Sequence, residues 1–418
     1  VKRPRHARRH RRTFSLFSRT KISRVVAVVL VFALAIFVTV RLVSGPRRAQ
    51  ITNRASGETT LGASVSLDSS MPWPAMGEGA YSVPLLGVSG QNGPETPVPI
   101  ASMTKIMTAY LVLKDHPIAK GSSGPNITVT ETDQLQFDTE TRTNQANVIV
   151  QAGEVLSEYQ MLEGLLVHSA NDLAYALAVW DAGSLGGFVT RMNATAKRLG
   201  MYQTHFADAS GDTPATVSTP SDILKVAAVA MTIPLFATLV THRSVTLPYE
   251  GLVSSFTPLL GTPGVVGVKS GYTTAAGGCD VLAYQSAIGT KSVVVLAAVT
   301  GQRTFNDVIS AGKAALALAQ GVASEIHLTT ALTSTTKVAT ATTVGQAVPL
   351  ELATNVSFLG IEGQSFHQRV EISHPPVAGT PKGVAVGVDV ISVGTQVIRA
   401  KVVNGGVLGT PSLWQRLW

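Results

Sequence analysis

Hydrophobic and polar positions alternate in three different ways along the chain. An apolar run, broken only by Thr39, covers residues 25–40, between Arg24 and Arg41. As a helix those residues span about 24 Å, a little less than the roughly 30 Å hydrocarbon core of a bilayer. Snorkelling of the flanking arginines extends the reach. A polar stretch at 44–61 reads as a linker, and 63–68 alternates like a first strand. Residues 71–99 are rich in Pro and Gly, with Tyr81-Ser82-Val83-Pro84-Leu85 as a second strand. Good helix formers then run on from Ser102. Short strands are expected at 127–129 and 147–150. Met161, Leu162, Leu165 and Leu166 recur at helical spacing up to His168, and Leu173, Ala176, Leu177 and Trp180 do so after Asp172. Ser169-Ala170-Asn171 connects these two helices. Further helices are expected at 187–199, 221–241 and 304–320. Strand patterns at 264–271, 279–286 and 292–300 suggest an antiparallel meander. Beyond 325, Val/Thr-rich runs at 334–343, 348–353, 368–372, 384–391 and 396–403 alternate with Gly and Pro turns.

This pattern divides the chain into a tail (1–24), a membrane-spanning signal-anchor (25–43), a linker (44–61), a mixed α/β body (62–324) and a small all-β domain (325–418). The apolar fraction of 45% suffices for a sizeable core. The net charge of +8 belongs to the tail. Residues 1–24 hold ten Lys and Arg and no acid, so the remainder carries 8 − 10 = −2. A nucleic-acid partner is therefore not indicated. The basic flank retains its side of the membrane in the cytoplasm. No small-residue cleavage site clearly follows the apolar run, which favours an anchor over a removed signal peptide. Arg11-Arg12-Thr13-Phe14 is a faint match to a twin-arginine signal, and any arginine-rich flank contains such a pair. Either way the chain from residue 60 is exported. The aromatic end Leu413-Trp414-Gln415-Arg416-Leu417-Trp418 packs on the β domain or meets a bilayer interface. The single cysteine, Cys279, rules out an internal disulfide and reads as a buried apolar residue. No Cys/His spacing suits a metal, and no cofactor is implied.

Candidate chemistry begins at Ser102-Met103-Thr104-Lys105. Residues three apart share a helical face, so hydroxyl and amine can meet at the first turn. A serine needs a base to become nucleophilic, and a lysine serves when burial or a second cation keeps it neutral. A helix start also offers free backbone N–H groups to an oxyanion. A lone Ser-x-x-Lys is weak evidence, because a capping serine followed by a surface lysine is common. Two further elements follow in order: Ser169-x-Asn171 at the helix–helix connection and Lys269-Ser270-Gly271 at a strand end.

The ordered set is that of the penicilloyl-serine enzymes. Residues 99–113, 165–177, 188–199, 204–211, 218–227 and 259–278 resemble the serine D-alanyl-D-alanine carboxypeptidases, the low-molecular-mass penicillin-binding proteins. Trp73-Pro74 and Gly277-Gly278-Cys279 resemble the actinobacterial members most. The resemblance implies an antiparallel sheet flanked by helices, with a cleft between sheet and helical lobe. It implies a reaction in which Ser102 attacks the penultimate D-alanine of a peptidoglycan stem peptide, the terminal D-alanine leaves, and water hydrolyses the acyl-enzyme. Lys105, depressed by burial and by Lys269, would be the base. Ser169 would relay a proton to the leaving nitrogen, and Asn171 would hold Lys105 and the substrate amide. Lys269 and the Ser270 hydroxyl would bind the terminal carboxylate. The N–H groups of Ser102 and Tyr272 would form the oxyanion hole, beside Gly271. β-Lactams would bind as substrate mimics.

Three departures bear on substrate preference. Ser270 stands where the family usually has Thr, Val266 where it often has Asp, and Ser255-Phe256-Thr257 replaces a frequent Asn. The alternatives are a β-lactamase or esterase on the same fold, and a non-enzymatic penicillin-binding cell-wall protein. Ser169-Ala170-Asn171 is not the Ser-Asp-Asn of class A β-lactamases, and all the expected catalytic side chains are present. His168 beside Ser169 invites a Ser-His-Asp triad, yet no G-x-S-x-G elbow exists. Asp172 reads as a cap or ion-pair member, and Arg142 as a solvated side chain.

Overall fold

The computed structural model describes residues 17–45, 47–60, 67–304, 306–343, 346–410, 412 and 415. Residues 1–16 of the basic tail, 63–66 of the first expected strand and most of the aromatic C-terminus lie outside these. Leu67–Ser69, at the end of that expected strand, is a 3-10 turn. Near the N-terminus stands a helix, Phe17–Val43, whose span Arg24–Val43 is long and apolar enough to cross a membrane.

The body is built on a five-stranded antiparallel sheet. Its order is Val265–Thr273, Gly277–Ile288, Lys291–Gln302, Glu78–Val83 and Val88–Gln91. The central strands are apolar on both faces, as strands buried on both sides must be. Leu282, Val293, Val295, Ala297 and Val299 pack with Ala315, Leu318, Ala319 and Val322 of the helix Asp307–Ser324. On the other face Val281, Ala283, Leu296 and Ala298 pack with the helices Lys105–Asp115 and Pro220–Ala230 and the helical lobe behind them. Cys279 belongs to this second core, fully buried, and burial pushes its thiol up to about 12. The strand Val265–Thr273 has a neighbour on one side only. Its free edge faces the start of the Lys105–Asp115 helix, and that seam opens as the cleft.

Some elements differ from the pattern reading. The helix expected from Ser102 opens as a 3-10 turn, Ala101–Thr104, with the α-helix beginning at Lys105. Residues 147–150 form no strand. The helix Glu131–Arg142 carries no apolar stripe to betray it; its start is fixed instead by reciprocal Thr130–Asp133 capping bonds. The helix expected at 221–241 is two helices, because Pro234 removes a backbone donor and restarts the second at its own first turn. A hairpin, Ser244–Leu247 with Gly251–Ser254, escaped notice.

The segment expected to be a linker is structured. Gln50–Thr52 pairs with Lys337–Thr343, and Ser56–Thr60 pairs with Ser365–Ile372. These two strands occupy opposite ends of the seven-stranded C-terminal sheet, yet only three residues separate them. The sheet must therefore curl until its edges nearly meet. Ala55 joins them directly: its N–H donates to the Val338 carbonyl at 2.7 Å, and its own carbonyl accepts from Val370 N–H at 3.3 Å. The C-terminal strands otherwise follow the expected runs, with an added pair, His327–Leu332 and Val356–Gly360.

Starting a soluble fragment at residue 62 strips this closure. The buried Ala49 and half-buried Ile51 alone represent about 2 kcal/mol of apolar burial. Two long strand edges would also be exposed to pairing with other molecules. A fragment from residue 62 is expected to melt lower and to aggregate on refolding, compared with one from residue 47. Equal melting temperatures in differential scanning calorimetry would refute the structural role of 49–60.

Candidate active site

Ser102 sits in the 3-10 turn ahead of the helix Lys105–Asp115, half-buried at the cleft. Ala101, just before it, has φ +48°, a left-handed backbone that turns the serine toward the sheet edge. Lys105 follows within one turn and is wholly buried. Its Nζ lies 2.9 Å from Ser102 Oγ and donates to Asn171 Oδ1 at 2.5 Å and to the Ser210 carbonyl at 3.1 Å. Among the described residues no carboxylate is bonded to the amine. Burial lowers its pKa to about 8, against the more distant pull of Asp208, Glu140, Asp172 and Asp212.

The second element comes from a break between helices. The helix Glu158–Glu163 loosens into a π-turn, Gly164–His168, and Ser169 then takes a left-handed backbone (φ +72°) before the helix Asn171–Ala182 begins. Such backbone in a non-glycine residue costs energy and tends to persist where surroundings enforce it. Ser169 lines the cleft, and its buried Oγ has no hydrogen-bond partner among the described residues. Asn171 Oδ1 accepts from Lys105, while its Nδ2 donates to Gln145 Oε1 at 3.0 Å.

The third element is split by the strand's pleat. Lys269 and Ser270 are both fully buried and do not line the open cleft. Lys269 Nζ donates to the Ser270 carbonyl at 2.8 Å and lies 5.4 Å from the ring of Phe256, which lines the cleft. Burial first, and Lys105 second, hold the Lys269 ammonium well below its usual range. Burial is the largest cause that depresses both amines. The Ser270 hydroxyl, expected to meet a carboxylate, donates instead to Asp280 Oδ1 at 2.5 Å, its cross-strand partner. Burial raises the Asp280 carboxyl to about 7. Gly271 is required by proximity. A Cβ there would stand 2.7 Å from the Ser102 nitrogen and 3.0 Å from Ala101 Cβ. Tyr272, half exposed, closes the strand side of the cleft with Thr273 and Thr274.

Ser102, Ser169, Asn171 and Tyr272 therefore line one cleft of about 500 Å³, with Lys105 under its floor. Sequence reading missed Gln145, Asp212, Ser210 and Asp280. The first three hold the floor by hydrogen bonds that no local pattern announces. Asp280 carried a signal, an acid inside an apolar strand pattern. Asp208 fixes the Ser210 carbonyl by accepting from Ser210 Oγ, Thr216 Oγ1 and the N–H groups of Gly211 and Asp212. His168 stays structural, its Nδ1 3.2 Å from the Ser254 carbonyl. Asp172 is in no ion pair among the described residues; it is fully buried and accepts from Val148 N–H. Arg142 bonds within its own helix, to the Asp138 carbonyl and Thr139 Oγ1.

A serine beside a buried lysine, in a cleft between an antiparallel sheet and a helical lobe, is the arrangement of the penicilloyl-serine class. Comparison with known proteins agrees. The peptidase family S11, described as D-alanyl-D-alanine carboxypeptidase, matches residues 88–303, half of the chain. The chain belongs to that family. It is 36% identical over 133 residues to a D-alanyl-D-alanine endopeptidase of Haemophilus influenzae, covering 31% of this chain and 41% of that protein. It is 31% identical over 219 residues to a D-alanyl-D-alanine carboxypeptidase of Streptomyces sp. (strain K15), covering 46% of this chain and 69% of the other. The match thus spans less than half of the first relative and about two thirds of the second. A peptidoglycan synthesis regulatory factor (PBP3) of Streptococcus pneumoniae shares the fold, with a TM-score of 0.60 at 20% identity over 80% of this chain and 99% of that one.

Because Gly271 lets the strand edge reach Ser102, Gly271→Ala should push the two apart. Displacements near 1 Å cost such sites about a hundredfold in rate. Labelling of Ser102 by a fluorescent penicillin should slow by that order, and an unchanged rate would show that the contact does not position the serine.

Proposed function

We propose that the protein is a serine-type D-Ala-D-Ala carboxypeptidase that trims peptidoglycan stem peptides through an acyl-enzyme on Ser102. The observation that carries this is the buried Lys105 amine, without a carboxylate partner, 2.9 Å from Ser102 Oγ. In its neutral form Lys105 takes the hydroxyl proton as Ser102 Oγ bonds to the carbonyl carbon of the penultimate D-alanine. The negative oxygen formed there is met by the backbone N–H groups of Ser102 and Tyr272. One such donor is typically worth about 2.7–4 kcal/mol of transition-state stabilisation. The proton passes by way of Ser169, whose hydroxyl is unpaired, to the leaving nitrogen as the C–N bond breaks. Asn171 orients Lys105 and the substrate amide. Water then adds to the acyl carbon as Lys105 takes its proton; the bond to Ser102 Oγ breaks, Lys105 returns the proton to that oxygen, and the shortened peptide departs.

The carboxylate of the leaving D-alanine is drawn to the Lys269 end of the cleft. A buried amine held below its usual range regains its proton when a counter-charge arrives, so binding and charging of Lys269 are coupled. Ser270 can contribute only by exchanging its bond to Asp280. β-Lactams occupy the same cleft and acylate Ser102. The helix Phe17–Val43 anchors the chain in the cell membrane by a single span, with the catalytic body on the outer side.

Ser102→Ala should abolish both D-alanine release from a pentapeptide and the covalent penicillin adduct seen by intact mass; persistence of either would remove Ser102 from the reaction. The base must be neutral, so the rate is lost below its pKa. Acylation should climb with pH through a midpoint near 8, the value to which burial brings Lys105. A rate independent of pH between roughly 6 and 9 would exclude Lys105 as the base.

A further inference from the structure

A line of hydrogen bonds leads from the buried amine to the cleft wall. Lys105 Nζ donates to Asn171 Oδ1 (2.5 Å), Asn171 Nδ2 to Gln145 Oε1 (3.0 Å), and Gln145 Nε2 to Asp212 Oδ2 (3.0 Å). Each amide has two ends, a donor and an acceptor, and can face either way. The last member cannot: a carboxylate only accepts. Asp212 therefore requires the nitrogen of Gln145, which leaves Gln145 oxygen for the nitrogen of Asn171, which leaves Asn171 oxygen for Lys105. The direction of the whole line is set from its outer end.

That direction decides where the base points. A neutral amine has two N–H groups and one lone pair. Lys105 Nζ has three polar neighbours, of which the Ser210 carbonyl and Asn171 Oδ1 are acceptors. Both N–H groups are taken by these, and the lone pair is left for Ser102 at 2.9 Å. A reversed Asn171 would present its NH₂ to the amine, capture the lone pair, and leave Ser102 without a base.

We propose that Gln145 and Asp212 are positioning residues that fix the direction of this line and so aim the Lys105 lone pair at Ser102. The inference rests on the reading of Lys105 as the base. Both residues are themselves held by backbone. Gln145 N–H donates to the Glu140 carbonyl at 2.9 Å, and Asp212 N–H to Asp208 Oδ2 at 2.8 Å. The side chains need only choose an orientation.

Reversing the two chemistries tests this. Asp212→Asn replaces the acceptor-only end with an amide that faces either way, so the line loses its direction. Adding Gln145→Glu moves the carboxylate one link inward, where it accepts from both Asn171 and the amide introduced at position 212 and restores the direction. The readout is the rate of Ser102 acylation by benzylpenicillin in the full chain, followed by intact mass, with kcat and KM for D-alanine release alongside. General bases contribute about 10²–10⁴-fold, so partial misaiming in Asp212→Asn should slow acylation by about tenfold, through kcat more than KM. The double variant should recover most of that loss. Gln145→Met, which keeps the volume and removes both bonds, should show the same loss and should not be rescued by Asp212→Asn. A single variant as fast as the wild type, or a double variant no faster than Asp212→Asn alone, would overturn the proposal. A wild-type chain that forms no adduct would contradict the reading of the site itself rather than the positioning line.

Discussion

Burying one lysine without a carboxylate beside it is the constraint on which the rest of the site depends. Moving Lys105 from an ordinary pKa of 10.5 to about 8 weighs against its charged form by about 3 kcal/mol. The fold accepts that cost by surrounding the amine with fixed oxygens rather than with a counter-ion. The helix Lys105–Asp115 places it under the cleft, the π-turn before Ser169 delivers Asn171, and the loop stapled by Asp208 delivers the Ser210 carbonyl. An ion pair in any of these positions would hold the amine protonated and useless as a base. Glycine acts to the same end at Gly211 (φ +86°), where a side chain would collide with the Ala101 carbonyl and Thr104. The loop can thus close against the turn that carries Ser102.

The parts of this arrangement legible in the sequence were those with a local spacing. Ser102 and Lys105 meet because they are one turn apart, and the meander 265–302 shows its strand pattern plainly. The small β sheet was legible for the same reason. What failed was whatever depends on partners distant in sequence. Glu131–Arg142 is a helix held by its cap, not by an apolar stripe. Residues 49–60 look like a linker because as edge strands they are short and largely solvent-facing, and only the curled sheet gives them neighbours. Gln145 and Asp212 lie 67 residues apart and look like ordinary loop polars.

The resemblance to known carboxypeptidases named side chains but not their states. Lys269 and Ser270 are both buried, and the Ser270 hydroxyl is taken by Asp280. Charge at that end is therefore conditional. Burial raises Asp280 to about 7 and holds the Lys269 ammonium below its usual range.

The most direct test of the account is the titration of Lys105 itself. Lysine labelled with ¹⁵N at Nζ, observed by NMR in the full chain and assigned with Lys105→Arg, reports the pKa without reference to any reaction. The account predicts a midpoint near 8. A Lys105 that titrates near the ordinary lysine value of about 10.4 would mean that the amine is charged at working pH and that Ser102 is not activated in this way.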